Sequence, residues 1–181
     1  MIEDRLLIWR FKSGDKAALA RIYEKYKIDL LRIAIGLLNE TSTAEDIVHD
    51  VFVKLAQSSD KLKLGGNLKG YLITCVANSA RNGKRAQQRK QAVSLDEIGP
   101  AISDSEKPGR WIISNEELDT LNNAMVQLPY DQQEVVVLHV QGGMKFKTIA
   151  KLQNVSINTV QSRYRYGLDK LRSLLNSEVE K

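Results

Sequence analysis

The sequence predicts an all-α protein made of two small helical domains joined by a flexible linker, the second a helix-turn-helix four-helix domain. Three observations lead there. Apolar residues recur at three- and four-residue spacing along most of the chain, and strand-like alternation persists nowhere. That spacing vanishes across residues 92–117, which contain Gly99-Pro100, Pro108-Gly109 and several serines and so divide a unit at 1–91 from one at 118–181. Within the second unit two amphipathic segments meet at Asn154-Val155-Ser156, where Asn accepts unusual backbone angles and Ser can cap the helix that follows.

The elements follow in order. Leu19, Ile22, Tyr23, Tyr26, Leu30, Ile33, Ala34 and Leu37 form one stripe entered through Ser13-Gly14-Asp15, so the first helix is long. Thr41-Ser42-Thr43-Ala44-Glu45 offers a capping box in which the Ser42 hydroxyl and the Glu45 carboxylate satisfy orphan amides reciprocally. Ile47, Val48, Val51, Phe52 and Leu55 supply that helix's buried face. Residues 60–69 read as a loop centred on Gly65-Gly66-Asn67; Leu68, Leu72, Cys75 and Val76 then resume helical spacing, and the unit closes near Arg89. The second unit opens on a stripe of Leu118, Leu121, Ala124, Met125 and Leu128. Pro129 suits the first turn of a new helix, where its missing N–H costs no bond. Val135, Val136 and Leu138 pack that helix, and Gly142-Gly143 ends it. Two helices remain, at 146–153 and 157–175.

Composition narrows the function. With 43% hydrophobic and 27% charged residues the 181-residue chain is too apolar for wholesale disorder, and its net charge of +5 permits a polyanionic partner without demonstrating one. The linker runs the other way: Asp96, Glu97, Asp104, Glu106, Glu116 and Glu117 against Lys107 and Arg110 leave it at −4. No charge-free run approaches the ~18 apolar residues of a membrane span, so no membrane insertion is expected. The acidic start Glu3-Asp4 argues against a secretory signal, and with Cys75 the single cysteine a reducing cytoplasm suits the chain. A disulfide within the chain and a cysteine zinc site are excluded.

Two cationic surfaces carry the functional reading. Ile149, Ala150, Leu152, Val155 and Val160 have the spacing of a helix-turn-helix core, with Ala150 small where two helices must approach closely. The next helix then offers Asn158, Thr159, Gln161, Ser162, Arg163 and Arg165 near its start, donors suited to major-groove edges and phosphates. At the end of the first unit Arg81, Lys84, Arg85, Arg89 and Lys90 occur with no acid between them, preceded by Tyr71 and Asn78. An aromatic that stacks, an amide and flanking cations would suit a single strand, although Tyr71 alone reads equally as core packing.

Taken in order, Ala44-Glu45-Asp46-Ile47-Val48-His49-Asp50-Val51-Phe52, Gly70-Tyr71-Leu72-Ile73-Thr74-Cys75-Val76-Ala77-Asn78, and then Leu128-Pro129, Val135, Leu138, Gly143, Ile149-Ala150, Ser156 and Thr159-Val160-Gln161-Ser162-Arg163 make the chain resemble a bacterial extracytoplasmic-function sigma factor. The resemblance implies core RNA polymerase and promoter DNA as partners, no cofactor and no metal, and it admits an anti-sigma factor as a further partner. It implies that Asp46, His49 and Asp50, on one helical face, dock on the polymerase clamp helices. It implies that Lys63, Asn67 and Lys69 belong to a base-capturing loop of the minus-ten element, beside Tyr71, Asn78, Arg81, Asn82 and Arg85. Ser156, Asn158, Thr159, Gln161, Ser162, Arg163 and Arg165 would read the minus-thirty-five element, and the linker's negative charge would mimic RNA in the polymerase exit path. Departures stand at Tyr71 for a frequent Trp, Gln133 for a frequent Arg, Lys147-Thr148 for a frequent acidic pair, and Tyr164-Arg165-Tyr166-Gly167-Leu168 after Arg163, so no promoter sequence carries over.

Two other classes compete. A stand-alone helix-turn-helix regulator would bind duplex DNA without polymerase. An enzyme ranks last, because His49 and His139 are the only histidines, neither sits in a nucleophile or ligand arrangement, and no phosphate-cradling glycine motif is present.

Overall fold

A computed structural model of the chain describes residues 2–58, 67–94 and 116–179, and within them only helices and turns are found. The elements are α1 (Ile2–Lys12), α2 (Lys16–Leu38), α3 (Thr41–Gln57) and α4 (Leu68–Ser94), then α5 (Glu116–Val126), α6 (Tyr130–Val136), α7 (Phe146–Gln153) and α8 (Ile157–Val179). A π-helical turn, Val137–Gln141, continues α6. The all-helical, two-domain expectation holds. Helix reaches two residues or more into each end of the predicted linker, at Ser94 and Glu116, and the rest of that linker lies outside the described residues, as do 59–66.

The first domain forms where α2, α3 and α4 turn their apolar stripes inward. Ile22, Leu30, Ile33, Leu37, Leu55, Leu68, Leu72 and Ile73 are fully buried there, which is the stripe spacing realised in three dimensions. Asp15 caps α2 by accepting from the Ala17 amide at 2.9 Å, after Gly14 has turned the chain at φ +84°. The helix stops at Asn39, left-handed at φ 57°.

Four local details differ from expectation. Helix α1 was not signalled, because Leu6 and Trp9 on its outer face break the stripe of Leu7, Ile8 and Phe11, which are buried. The cap of α3 is Glu40 rather than Ser42: its two carboxylate oxygens accept from the Ser42 and Thr43 amides at 2.8 and 2.7 Å, doing alone what a capping box divides between two residues. Leu121, expected in the α5 stripe, is exposed, whereas Ala124, Met125 and Leu128 are buried; the side chain of Leu118 lies outside the described residues. Pro129 precedes α6 in an extended conformation, one position before the expected first turn.

Charge fastens α1 to α2. The Asp4 carboxylate accepts from Tyr26 Oη at 2.7 Å and from Lys25 Nζ at 2.9 Å, and Lys25 also reaches Glu3 at 2.6 Å. Burial pushes the Tyr26 phenol up to about 12, helped by its bond to Asp4. For Asp4 burial acts upward, but the Lys25 and Tyr26 bonds outweigh it and hold the carboxyl below its ordinary range. A depressed carboxylate stabilises the fold above its unfolded pKa, near 4, and loses that contribution as pH falls through the lower folded value. Replacement of Asp4 by Asn should therefore lower the melting temperature by about 2–4 °C at neutral pH and by less at pH 3, as read by circular dichroism; an equal loss at both pH values would show that charge is not what joins the helices.

Candidate nucleic-acid interface

Helices α7 and α8 form the helix-turn-helix. Ile149 and Val160 are fully buried and Ala150 lies between the helices, as the small residue requires. Asn154 turns the chain at φ 55°, and the Val155 amide returns to the Ala150 carbonyl at 3.0 Å. Ser156 Oγ then accepts from the Thr159 amide at 3.0 Å and shares a 2.9 Å bond with Thr159 Oγ1, so both hydroxyls are engaged in starting α8. An aromatic cluster sets the roll of α8. His139 stacks on Phe146 with centroids 4.2 Å apart, and Tyr164 meets His139 edge-on at 5.0 Å. The His139 Nδ1 hydrogen bond to the Met144 carbonyl, 2.8 Å, requires a proton on that nitrogen, which gives this histidine a packing role.

With the roll set, Asn158, Gln161 and Arg165 of α8 point to solvent, Arg165 stacked over Tyr166 at 5.3 Å. Ser162 is half-buried. Arg163 is tied down: it donates to Gln153 Oε1 at 2.7 Å and to Asp131 Oδ2 at 2.6 Å. On α4, Asn78, Asn82 and Arg85 are exposed at four- and three-residue spacing, one face of a helix. Tyr71 is half-buried against the core, the packing alternative that its position allows. Asn67 caps α4, accepting from the Gly70 amide at 2.9 Å, and Lys69 pairs with Asp29 at 2.7 Å. Lys63 lies outside the described residues. On α3, Asp46, His49 and Asp50 form an exposed face opposite Val48, Val51, Phe52 and Leu55. Among the described residues no group of His, Cys, Asp and Glu could hold a metal.

Arg81 departs most from the expected picture. Its side chain is only 16% exposed and reaches across to the second domain, donating to the Leu152 carbonyl at 3.0 Å and to Glu134 Oε1 at 2.7 Å. Glu134, 1% exposed, also accepts from Gln153 Nε2 at 2.7 Å, and Gln153 is the residue that holds Arg163. Burial is the larger influence on Glu134 and raises its carboxyl above the ordinary range, against the pull of Arg81 and Gln153. Beside it Gln133, equally buried, donates to the Gly36 carbonyl of α2 at 2.8 Å and to Asn39 Oδ1 at 3.2 Å. Lys84 sits over the Tyr130 ring at 5.2 Å. Glu134, Gln133, Gln153 and Asp131 carry no sequence signal of this kind, since a helical stripe does not say which polar neighbour faces another domain.

This fold, a helical module with an acidic face and a basic helix followed by a helix-turn-helix, defines a DNA-binding transcription protein. Residues 22–90 match the Sigma-70 region 2 family and residues 118–171 match Sigma-70, region 4. Curated relatives include the RNA polymerase sigma-H factor of Pseudomonas aeruginosa, 24% identical over 93% of both chains. The ECF RNA polymerase sigma factor SigW of Bacillus subtilis is 23% identical over 97% of both. Among solved structures, the sigma factor RpoE in complex with the anti-sigma factor NepR from Bartonella quintana superposes with a TM-score of 0.67 at 25% identity, covering 86% of this chain and 97% of that one. CnrH in complex with the cytosolic domain of CnrY gives 0.67 at 20% identity over 96% and 97%. The chain belongs to the sigma-70 family of RNA polymerase sigma factors, in its extracytoplasmic-function subfamily. It is a transcription initiation factor that binds core RNA polymerase and directs it to promoter DNA.

Proposed function

We propose that the two domains divide promoter recognition, residues 1–91 docking on polymerase and opening the minus-ten element while 118–181 read the minus-thirty-five element, with 92–117 as the tether. The observation that carries this reading is the ordered pair of regions, each presenting a basic helix: Asn78, Asn82 and Arg85 exposed on α4, and Asn158, Gln161 and Arg165 exposed on α8. Exposed donors flanked by cations suit an unpaired base and its phosphates in the first case and major-groove edges in the second. Asp46, His49 and Asp50 are the docking face, where carboxylates meet a cationic polymerase surface. The similar solved structure of RpoE, a complex with the anti-sigma factor NepR, supports an anti-sigma protein as a third partner. No covalent chemistry is required of the chain, and it acts in the cytoplasm, where polymerase is. No described helix is long and apolar enough to cross a membrane.

The decisive experiment adds the purified chain to sigma-free core polymerase and maps transcript starts across bacterial genomic DNA; starts that share two spaced elements support the reading, and duplex binding without any gain in initiation supports an autonomous regulator instead. Asp50→Lys should weaken capture by core polymerase at least tenfold in a titration, and equal capture would remove the docking face. Arg163→Ala should cost about 1–3 kcal/mol of upstream-element binding in the polymerase complex if its guanidinium reads a base; undiminished binding, measured by anisotropy, would assign it a purely intramolecular role.

A further inference from the structure

Helix α1 turns to solvent an aromatic side chain that the promoter reading leaves unused. Leu7, Ile8 and Phe11 are buried, whereas Leu6 and Trp9 point outward. Trp9, 66% exposed, is the most open large apolar side chain among the described residues, although tryptophan is highly buried on average. Arg5, Trp9 and Lys12 follow one another at four- and three-residue spacing, which places them on one face of the helix, and both cations are exposed. The backbone beneath the indole is fixed, since the Trp9 carbonyl accepts from the Ser13 amide at 3.0 Å and from Ser13 Oγ at 3.1 Å.

The charge on this face is of one sign. Every acid of α1 and of the turn after it is engaged elsewhere: Glu3 and Asp4 accept from Lys25, and Asp15 accepts from Arg10. Arg5 and Lys12 form no ion pair among the described residues. An aromatic ring between two open cations complements an unpaired nucleotide strand, whose bases offer a stacking face and whose phosphates offer the opposite charge. Duplex DNA does not suit it, because paired bases are already stacked on one another. Helix α1 also lies ahead of residues 22–90, the stretch that matches region 2, so this surface is additional to the α4 face of Asn78, Asn82 and Arg85.

We propose that Arg5, Trp9 and Lys12 form a second single-strand contact, in which a base freed by promoter opening stacks on the indole while the two cations take the flanking phosphates. The proposal rests on the reading that the first domain opens the minus-ten element. Stacking of this kind tolerates any sequence, since every base has a π-face. Phosphate pairing makes it salt-dependent, with a logarithmic slope of about −0.7 for each phosphate neutralised on a single strand. Because the three side chains are exposed, replacing them leaves the core intact.

Trp9 and Trp111 are the two tryptophans of the chain, so in the full chain carrying Trp111→Phe the indole emission reports Trp9 alone. Titration with a short mixed-sequence DNA strand should quench that emission. In anisotropy with the same strand labelled, Trp9→Phe should keep most of the affinity and Trp9→Leu should weaken it about five- to 150-fold. Arg5→Ala combined with Lys12→Ala should make the salt slope shallower by about 1.4. On core polymerase, Trp9→Leu should shorten the lifetime of the open promoter complex about fivefold or more while capture of the chain by polymerase stays unchanged. Absence of quenching, or equal strand affinity in Trp9→Leu, overturns the stacked contact. Loss of polymerase capture in Trp9→Leu overturns it as well and makes this face a protein dock. The minus-ten reading is judged separately with Asn78→Ala: normal opening in that variant removes the reading, whereas defective opening there beside an unchanged lifetime in Trp9→Leu removes the Trp9 contact alone.

Discussion

A carboxylate that is 1% exposed must find donors nearby, and Glu134 finds them on both sides of a domain boundary. Left alone it would cost several kcal/mol of lost hydration; with Arg81 and Gln153 in place it is held in a polar cluster. Much else in the interdomain arrangement follows from this requirement. Arg81 must lean away from solvent, α7 must end where its Leu152 carbonyl can accept from the same guanidinium, and α2 must offer a glycine where the π-turn comes close. Buried ion pairs contribute little net stability even when breaking one is costly, because desolvation offsets attraction. A contact of that kind specifies a geometry firmly while remaining within reach of a competing ligand.

Within the second domain the same economy of partners orients the recognition helix. Asn154 in the left-handed region, the Ser156 hydroxyl on the Thr159 amide and the His139–Phe146–Tyr164 cluster together fix where α8 starts and how it is rolled. That roll decides which side chains face outward. Asn158, Gln161 and Arg165 do, while Tyr164 turns to the aromatic cluster and Gly167 lies against Val136 and Gln132 of α6. The glycine in the Tyr166-Gly167-Leu168 run thus has a packing reason: a Cβ would stand 3.1 Å from Val136 Cγ2.

What the sequence disclosed divides along a physical line. The α2 stripe, the Asp15 entry turn, the helix-turn-helix core and the Asn154–Ser156 turn were legible because each depends on residues a few positions apart, whose spacing or hydrogen-bonding habit is visible in the chain itself. The exposed acidic face of α3 was legible for the same reason, as the complement of its buried stripe. Helix α1 escaped because it is apolar on more than one side, and its attachment depends on Asp4 meeting Tyr26, twenty-two residues away. Glu40 escaped because a glutamate cap is less usual than a serine one and a plausible serine stood two residues on. The pairing of Arg81 with Glu134, fifty-three residues apart, has no local signature at all, and Arg81 read simply as one cation in a basic run.

A guanidinium does not distinguish among acceptors by their origin. The planar fork that suits a phosphate or a guanine edge suits a carboxylate or an amide oxygen equally, so a protein that must bind DNA strongly carries side chains that its own acids can occupy. In this chain Asp131 and Glu134, one turn apart on α6, pair with Arg163 and Arg81. Because α4 and α6 belong to one chain, the contact between Arg81 and Glu134 is intramolecular and independent of protein concentration.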